Sequence, residues 1–74
     1  MNHPAKYDQH LGVQYKYWST EDSGKFTGAY SFQVHTSEDT IDFFWTSDIV
    51  MSKEEAEDLA KKYAIQKIDL IKSS

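Results

Sequence analysis

The chain has 74 residues and no cysteine, so no disulfide forms and no thiolate is present to bind metal or attack a substrate. Its eight cations are all lysine, against twelve acidic residues, for a net charge of −4. An acidic chain without the planar fork of arginine is poorly suited to duplex nucleic acid or anionic membranes. A domain of this size buries only about 60 % of its unfolded surface, so its stability margin is narrow.

Residues 1–10 are polar, contain the only proline and show no apolar period. They read as a flexible N-terminal tail ahead of a single α+β domain spanning 11–74. Met1-Asn2-His3 is a weak metal candidate: a free amine, two amide nitrogens and the His3 imidazole can surround Cu(II) or Ni(II) in a square plane. Acetylation would abolish it. No resident cofactor is expected. The tail lacks the apolar core of a signal peptide, no run approaches the ~20 apolar residues of a membrane span, and cysteine is absent. The expected location is cytoplasmic.

From Leu11 the chain alternates. Leu11, Val13, Tyr15 and Tyr17 share one parity, and Gln14 and Lys16 the other, as in a half-buried strand. Ser23-Gly24 fits a two-residue hairpin turn. A second strand follows, with Phe26, Tyr30, Phe32 and Val34 inward and Ser31, Gln33 and His35 outward. A turn centred on Ser23-Gly24 sets Tyr17 opposite Tyr30, Tyr15 opposite Phe32 and Val13 opposite Val34. All six then share a face, as directly opposed residues must. A slip of one residue would split them.

His35-Thr36-Ser37-Glu38-Asp39-Thr40 is a second turn, rich in side chains that bond their own backbone. The third strand directs Ile41, Phe43 and Trp45 inward, and Asp42, Phe44 and Thr46 outward. Ser52 with Glu55 then forms a capping box. Glu54, Glu55, Glu57 and Asp58 precede Lys61 and Lys62, an order that suits the helix dipole. Ala56, Leu59, Ala60 and Tyr63 are the expected inward stripe, with Met51 stapled onto Ala56. The β-rich segment after Ala64 is open to two readings, helix extension or a short fourth strand, and the strand is preferred. The expected fold is a small three- to four-stranded antiparallel sheet, β-β-β-α with a short strand after it, and one helix packed on one face.

Catalytic constellations are weak. His35 has Ser31, Thr36 and Asp42 as neighbours in sequence, but nothing in their spacing enforces a triad. The acidic pairs lie in turns or serve the helix cap. Gly24-Lys25-Phe26-Thr27-Gly28 lacks the spacing of a phosphate loop. The aromatic residues carry more. Trp18 and Phe44 fall on the outward parity with Lys16, Gln33 and His35 around them, and Trp18 faces the small Ala29. Scattered exposed aromatics are ordinary on protein surfaces, whereas a cluster fits an interface core. The expectation is a non-enzymatic, self-associating protein-interaction module that binds through an aromatic sheet surface of Lys16, Trp18, Gln33, His35 and Phe44. The alternatives are an acidic inhibitor of a basic protein and a weak single-strand nucleic-acid binder by stacking.

Overall fold

A computed structural model describes residues 4–73. His3, the candidate metal ligand, lies outside the described residues. The order of elements is β1 (Lys6–His10), β2 (Val13–Asp22), β3 (Lys25–His35), β4 (Thr40–Thr46) and α1 (Lys53–Ser73). The strands form one antiparallel sheet in the order β1-β2-β3-β4, a meander, with the helix on one face. This is the expected α+β fold. Among the described residues no helix is long and apolar enough to cross a membrane.

The central hairpin has the register its turn demands. Tyr17 lies opposite Tyr30, Tyr15 opposite Phe32 and Trp18 opposite Ala29. Ser23 and Gly24 both have positive φ, 54° and 76°. This is the backbone that matches the right-handed twist of the flanking strands. Between β3 and β4, Thr36 closes the loop: its hydroxyl accepts from the Asp39 amide at 3.0 Å.

The first correction is at the N-terminus. Lys6–His10 is not a tail but edge strand β1, paired Lys6 with Tyr17 through His10 with Val13. Its turn repeats that of the central hairpin, with Leu11 and Gly12 at φ 52° and 81°. The helix-facing side chains of β1 are Lys6, Asp8 and His10, and each meets a charged residue on α1. Lys6 Nζ donates to Glu57 Oε1 at 3.0 Å, Lys61 Nζ lies 3.3 Å from Asp8 Oδ2, and His10 Nε2 lies 2.6 Å from Asp69 Oδ1. Lys6 and Asp8 carry opposite signs, and the three side chains, at period two along the strand, find partners on one helix face at multiples of four. Glu57 and Asp8 hold the Lys6 and Lys61 ammonium groups above their usual pKa. A hydrogen bond from the Gln9 amide, with Lys61 second, holds the Asp8 carboxyl below its own.

The second correction is at the C-terminus. Residues 65–72 continue the helix, so the fourth strand lies at the other end of the chain. Ala56, Ala60, Ala64 and Ile68 form an unbroken buried row at spacing four. Burial on this row overrides the strand preference of Ile65, Ile68 and Ile71. The inward stripe is therefore rotated from the expected one: Leu59 is half-buried, and Tyr63 lies at the margin, 5.0 Å from the Trp45 ring. Met51 is 74 % exposed and does not staple Ala56. The Ser52 cap forms, with the Glu55 amide donating to Ser52 Oγ at 3.1 Å.

An alanine row lets the helix lie close on the sheet. The closest approach is at Gly28, where a methyl group would fall 2.1 Å from the Ala56 carbonyl oxygen. The core beneath joins Val13, Tyr15, Tyr30 and Phe32 to Ala64 and Ile68. Cross-strand stacking extends it toward β4: Tyr30 on Trp45 at 5.3 Å and Phe32 on Phe43 at 4.9 Å. Burial holds the Tyr15 and Tyr30 hydroxyls above the usual tyrosine pKa. Coverage thins past β3, and Ile41, assigned inward by parity, is 46 % exposed at the sheet end.

Candidate functional site: the outward face of the sheet

The parity that fills the core fixes what remains on the other side. One row across all four strands carries Tyr7, Lys16, Ser31 and Phe44, each opposite the next. The adjoining row carries Trp18, Ala29 and Thr46. On the other side of the first row Gln9 lies opposite Gln14 and Gln33 opposite Asp42, and the strand end pairs His35 with Thr40, while the pairing of β2 with β3 ends at Tyr15 opposite Phe32. Small residues, Ala29 and Ser31, occupy the central strand. They leave room for the Trp18 ring to lean in over Ala29.

Trp18 and Phe44, brought together as expected, have ring centroids 6.1 Å apart at an interplanar angle of 43°. Lys16 Nζ lies 5.6 Å above the Trp18 ring, a cation–π distance. Trp18 is half-buried, and Ala29 is buried although it faces outward. The indole is thus folded onto the sheet, where a freely projecting ring was expected opposite so small a neighbour. Phe44 stands clear at 68 % exposure, and so does Tyr7 at 65 %.

Gln33 and His35 lie on the same face but are tied up locally. Gln33 Nε2 donates to Asp42 Oδ1 at 2.7 Å, and His35 Nδ1 lies 3.0 Å from Thr40 Oγ1. His35 thus meets a hydroxyl across the turn, and Asp42 meets an amide. No contact unites His35, Ser31 and Asp42 as a triad would require among the described residues. Nor do three or more histidine, aspartate and glutamate side chains gather there to hold a metal ion.

Tyr7 is the member of the face that sequence reasoning missed, because β1 was read as a tail. Two signals could have found it: the alternation Lys-Tyr-Asp-Gln-His, and Leu11-Gly12, which has the same X-Gly form as Ser23-Gly24. On the other side of the sheet, among the described residues, three buried side-chain polar atoms are without hydrogen-bond partners: Ser19 Oγ, Tyr15 OH and Glu57 Oε2. They lie under the helix and do not open onto the aromatic face.

No protein-family model matches this chain, and neither a curated protein nor a solved structure matches it.

Proposed function

We propose that this chain is a non-catalytic protein-interaction module that pairs with a second copy of itself through the outward face of its sheet. The supporting observation is the exposure of Phe44 and Tyr7 at the two ends of one cross-strand row, with Trp18 and Lys16 beside them and small residues between. Folding gains little from leaving two large rings in water. A flat partner of the same shape would cover both at once, since aligned sheets pack face to face about 10 Å apart.

Size supports a second copy. The molecule measures 43 × 19 × 18 Å, so its broad face offers at most roughly 800 Å². A standard interface takes about that area from each partner. A two-fold axis parallel to the strands and midway between β2 and β3 would set β1 of one copy over β4 of the other, with Tyr7 above the Phe44 ring and Lys16 above Ser31. Along the strands this row and Trp18 are flanked by glutamines and threonines, a polar margin of the kind interfaces have. Stacking on single-stranded nucleic acid uses similar rings but needs a basic groove, and a chain of net charge −4 opposes it.

Sedimentation equilibrium across the micromolar range tests the proposal. The native chain is expected to be a dimer. Tyr7→Ser with Phe44→Ser should convert it to a monomer with little loss of thermal stability, since both rings are largely exposed. A native chain that stays monomeric throughout refutes it, as does a double variant that still dimerises.

A further inference from the structure

The two edges of the sheet are built differently. β1 has only five residues, and the charged Lys6 and Asp8 point inward together with His10. Its outward backbone donor at Gln9 is occupied by the Asp8 carboxylate at 2.7 Å. Short length and inward charges are the devices by which proteins blunt an edge strand. β4, Thr40–Thr46, has seven residues, no proline, no lysine and one charge, Asp42.

The ladder identifies which groups that second edge offers. Ser47 donates its amide to the Gly28 carbonyl at 2.7 Å, so Ser47 opposite Gly28 is a bonded pair. Antiparallel pairs alternate. Trp45, Phe43 and Ile41 therefore bond to β3, while Asp42, Phe44 and Thr46 turn their amides and carbonyls to the open side. Thr40 follows the same rule, and its amide is taken by the Asp39 carboxylate at 2.7 Å. Among the described residues no strand pairs with the open side of β4. Beside it runs a cleft of about 390 Å³ between β4 and α1, whose lining includes Phe43, Trp45, Tyr63 and Leu70.

Charge selects the occupant. From Thr36 to Ser52 the chain holds Glu38, Asp39, Asp42 and Asp48 and no lysine. A second copy of β4 would bring these carboxylates against their own kind: pairing about Phe43 opposes Glu38 to Asp48, and pairing about Asp42 opposes it to itself. Like charges directly opposed are destabilising. On the helix side of the edge the cleft is lined by a positive charge, Lys67, with its Nζ 5.7 Å from the Phe43 ring. A strand that fits both sides is apolar where it faces the helix and basic where it faces outward.

We infer that the open edge of β4 accepts an extended segment of a partner protein in which apolar and basic residues alternate. Main-chain hydrogen bonds to Asp42, Phe44 and Thr46 hold it in place. Apolar side chains enter the β4–α1 cleft, and the basic ones meet Asp42 and the acidic ends of the strand. This is strand addition, in which backbone pairing supplies affinity and alternate side chains supply specificity. It does not depend on pairing through the aromatic face: Tyr7, Trp18 and Lys16 take no part in it.

The probe is a blocked hexapeptide of three valine–lysine repeats, titrated into isotopically labelled protein at low salt and followed by amide resonances. The expected result is that Asp42, Phe44 and Thr46 shift and their hydrogen exchange slows, with a valine–glutamate peptide of equal length inert. Asp42→Pro removes an outward donor while leaving the bonds to β3 intact, as proline is tolerated on an edge. It should weaken binding by at least about tenfold. Asp42→Lys keeps the donor and reverses the charge. It should weaken binding at low salt, which keeps the test decisive if the proline variant fails to fold. Equal binding of the glutamate peptide, no binding of the lysine peptide, or shifts confined to Tyr7, Lys16 and Trp18 would each overturn the inference. So would β4 exchange protection that rises with protein concentration alone, which assigns the edge to a second copy.

Discussion

Replacing Gly28 by alanine attacks the contact on which the helix–sheet packing depends. The added methyl would meet the Ala56 oxygen at 2.1 Å and its carbonyl carbon at 2.9 Å. Both are backbone atoms and cannot rotate aside. Restoring an ordinary contact requires the first turn of α1 and the middle of β3 to part by roughly 1 Å. Overpacking of this kind costs about 1–3 kcal/mol, and the absence of a yielding side chain puts Gly28→Ala at the top of that range. A domain of this length holds only about 4–11 kcal/mol in total, at roughly 0.05–0.15 kcal/mol per residue. The control is Gly24→Ala, which meets nothing within 4 Å but has a φ of +76°. Its cost is the left-handed backbone alone, about 1–2 kcal/mol. Urea unfolding followed by tryptophan emission reads both. With a slope near ~1 kcal/mol/M, Gly28→Ala should lower the midpoint by roughly 2–3 M, and Gly24→Ala by clearly less. A Gly28→Ala protein as stable as the native one, or more stable than Gly24→Ala, would refute the close approach.

Three further outcomes follow from the same contacts. Ser19 is fully buried with no partner for its hydroxyl, so Ser19→Ala should be neutral or stabilising by up to about 1 kcal/mol; a comparable loss, read by urea unfolding, would show that the hydroxyl is satisfied. In alkali, Tyr15, Tyr30, Lys6 and Lys61 all have folded-state pKa values raised above the ordinary 10.0 and 10.5. Their contribution is complete below those values and is lost as pH rises through the folded ones. The depressed Asp8 contributes above 3.8 and is lost as pH falls through its lower folded value. Melting temperature should therefore fall beyond pH 10 and, from Asp8, below pH 3.8, and a rise beyond pH 10 would contradict the burial of the two tyrosines. Lys6→Met leaves the Glu57 carboxylate without its cation, so β1 amides should exchange faster than those of β2 and β3. Uniform exchange across the sheet would show that the ion pairs do not hold the edge.

The sequence was most legible where a turn and an apolar alternation agreed. Ser23-Gly24 limits the hairpin to a two-residue loop, and only one register then keeps Tyr15, Tyr17, Tyr30 and Phe32 together. The outward cluster followed, since Trp18 and Phe44 were what the core parity left over. β1 was illegible by the same rule, because its inward residues are Lys6, Asp8 and His10. Their partners, Glu57, Lys61 and Asp69, are more than 50 positions away in sequence. The helix ran past Ala64 because Ala60, Ala64 and Ile68 continue a row, a non-local packing effect that strand propensity does not weigh. The displaced inward stripe has the same origin: Gly28 admits an alanine ridge, and Tyr63 is pushed to the margin against Trp45.

The two tryptophans lie on opposite faces, which permits one direct measurement. Trp18 belongs to the aromatic outward surface and Trp45 to the helix side. With 5-fluorotryptophan incorporated and the signals assigned through Trp18→Phe, fluorine spectra over a dilution series should show the Trp18 resonance moving with protein concentration and the Trp45 resonance fixed. Movement of Trp45 alone, or of neither, would contradict recognition through the outward face.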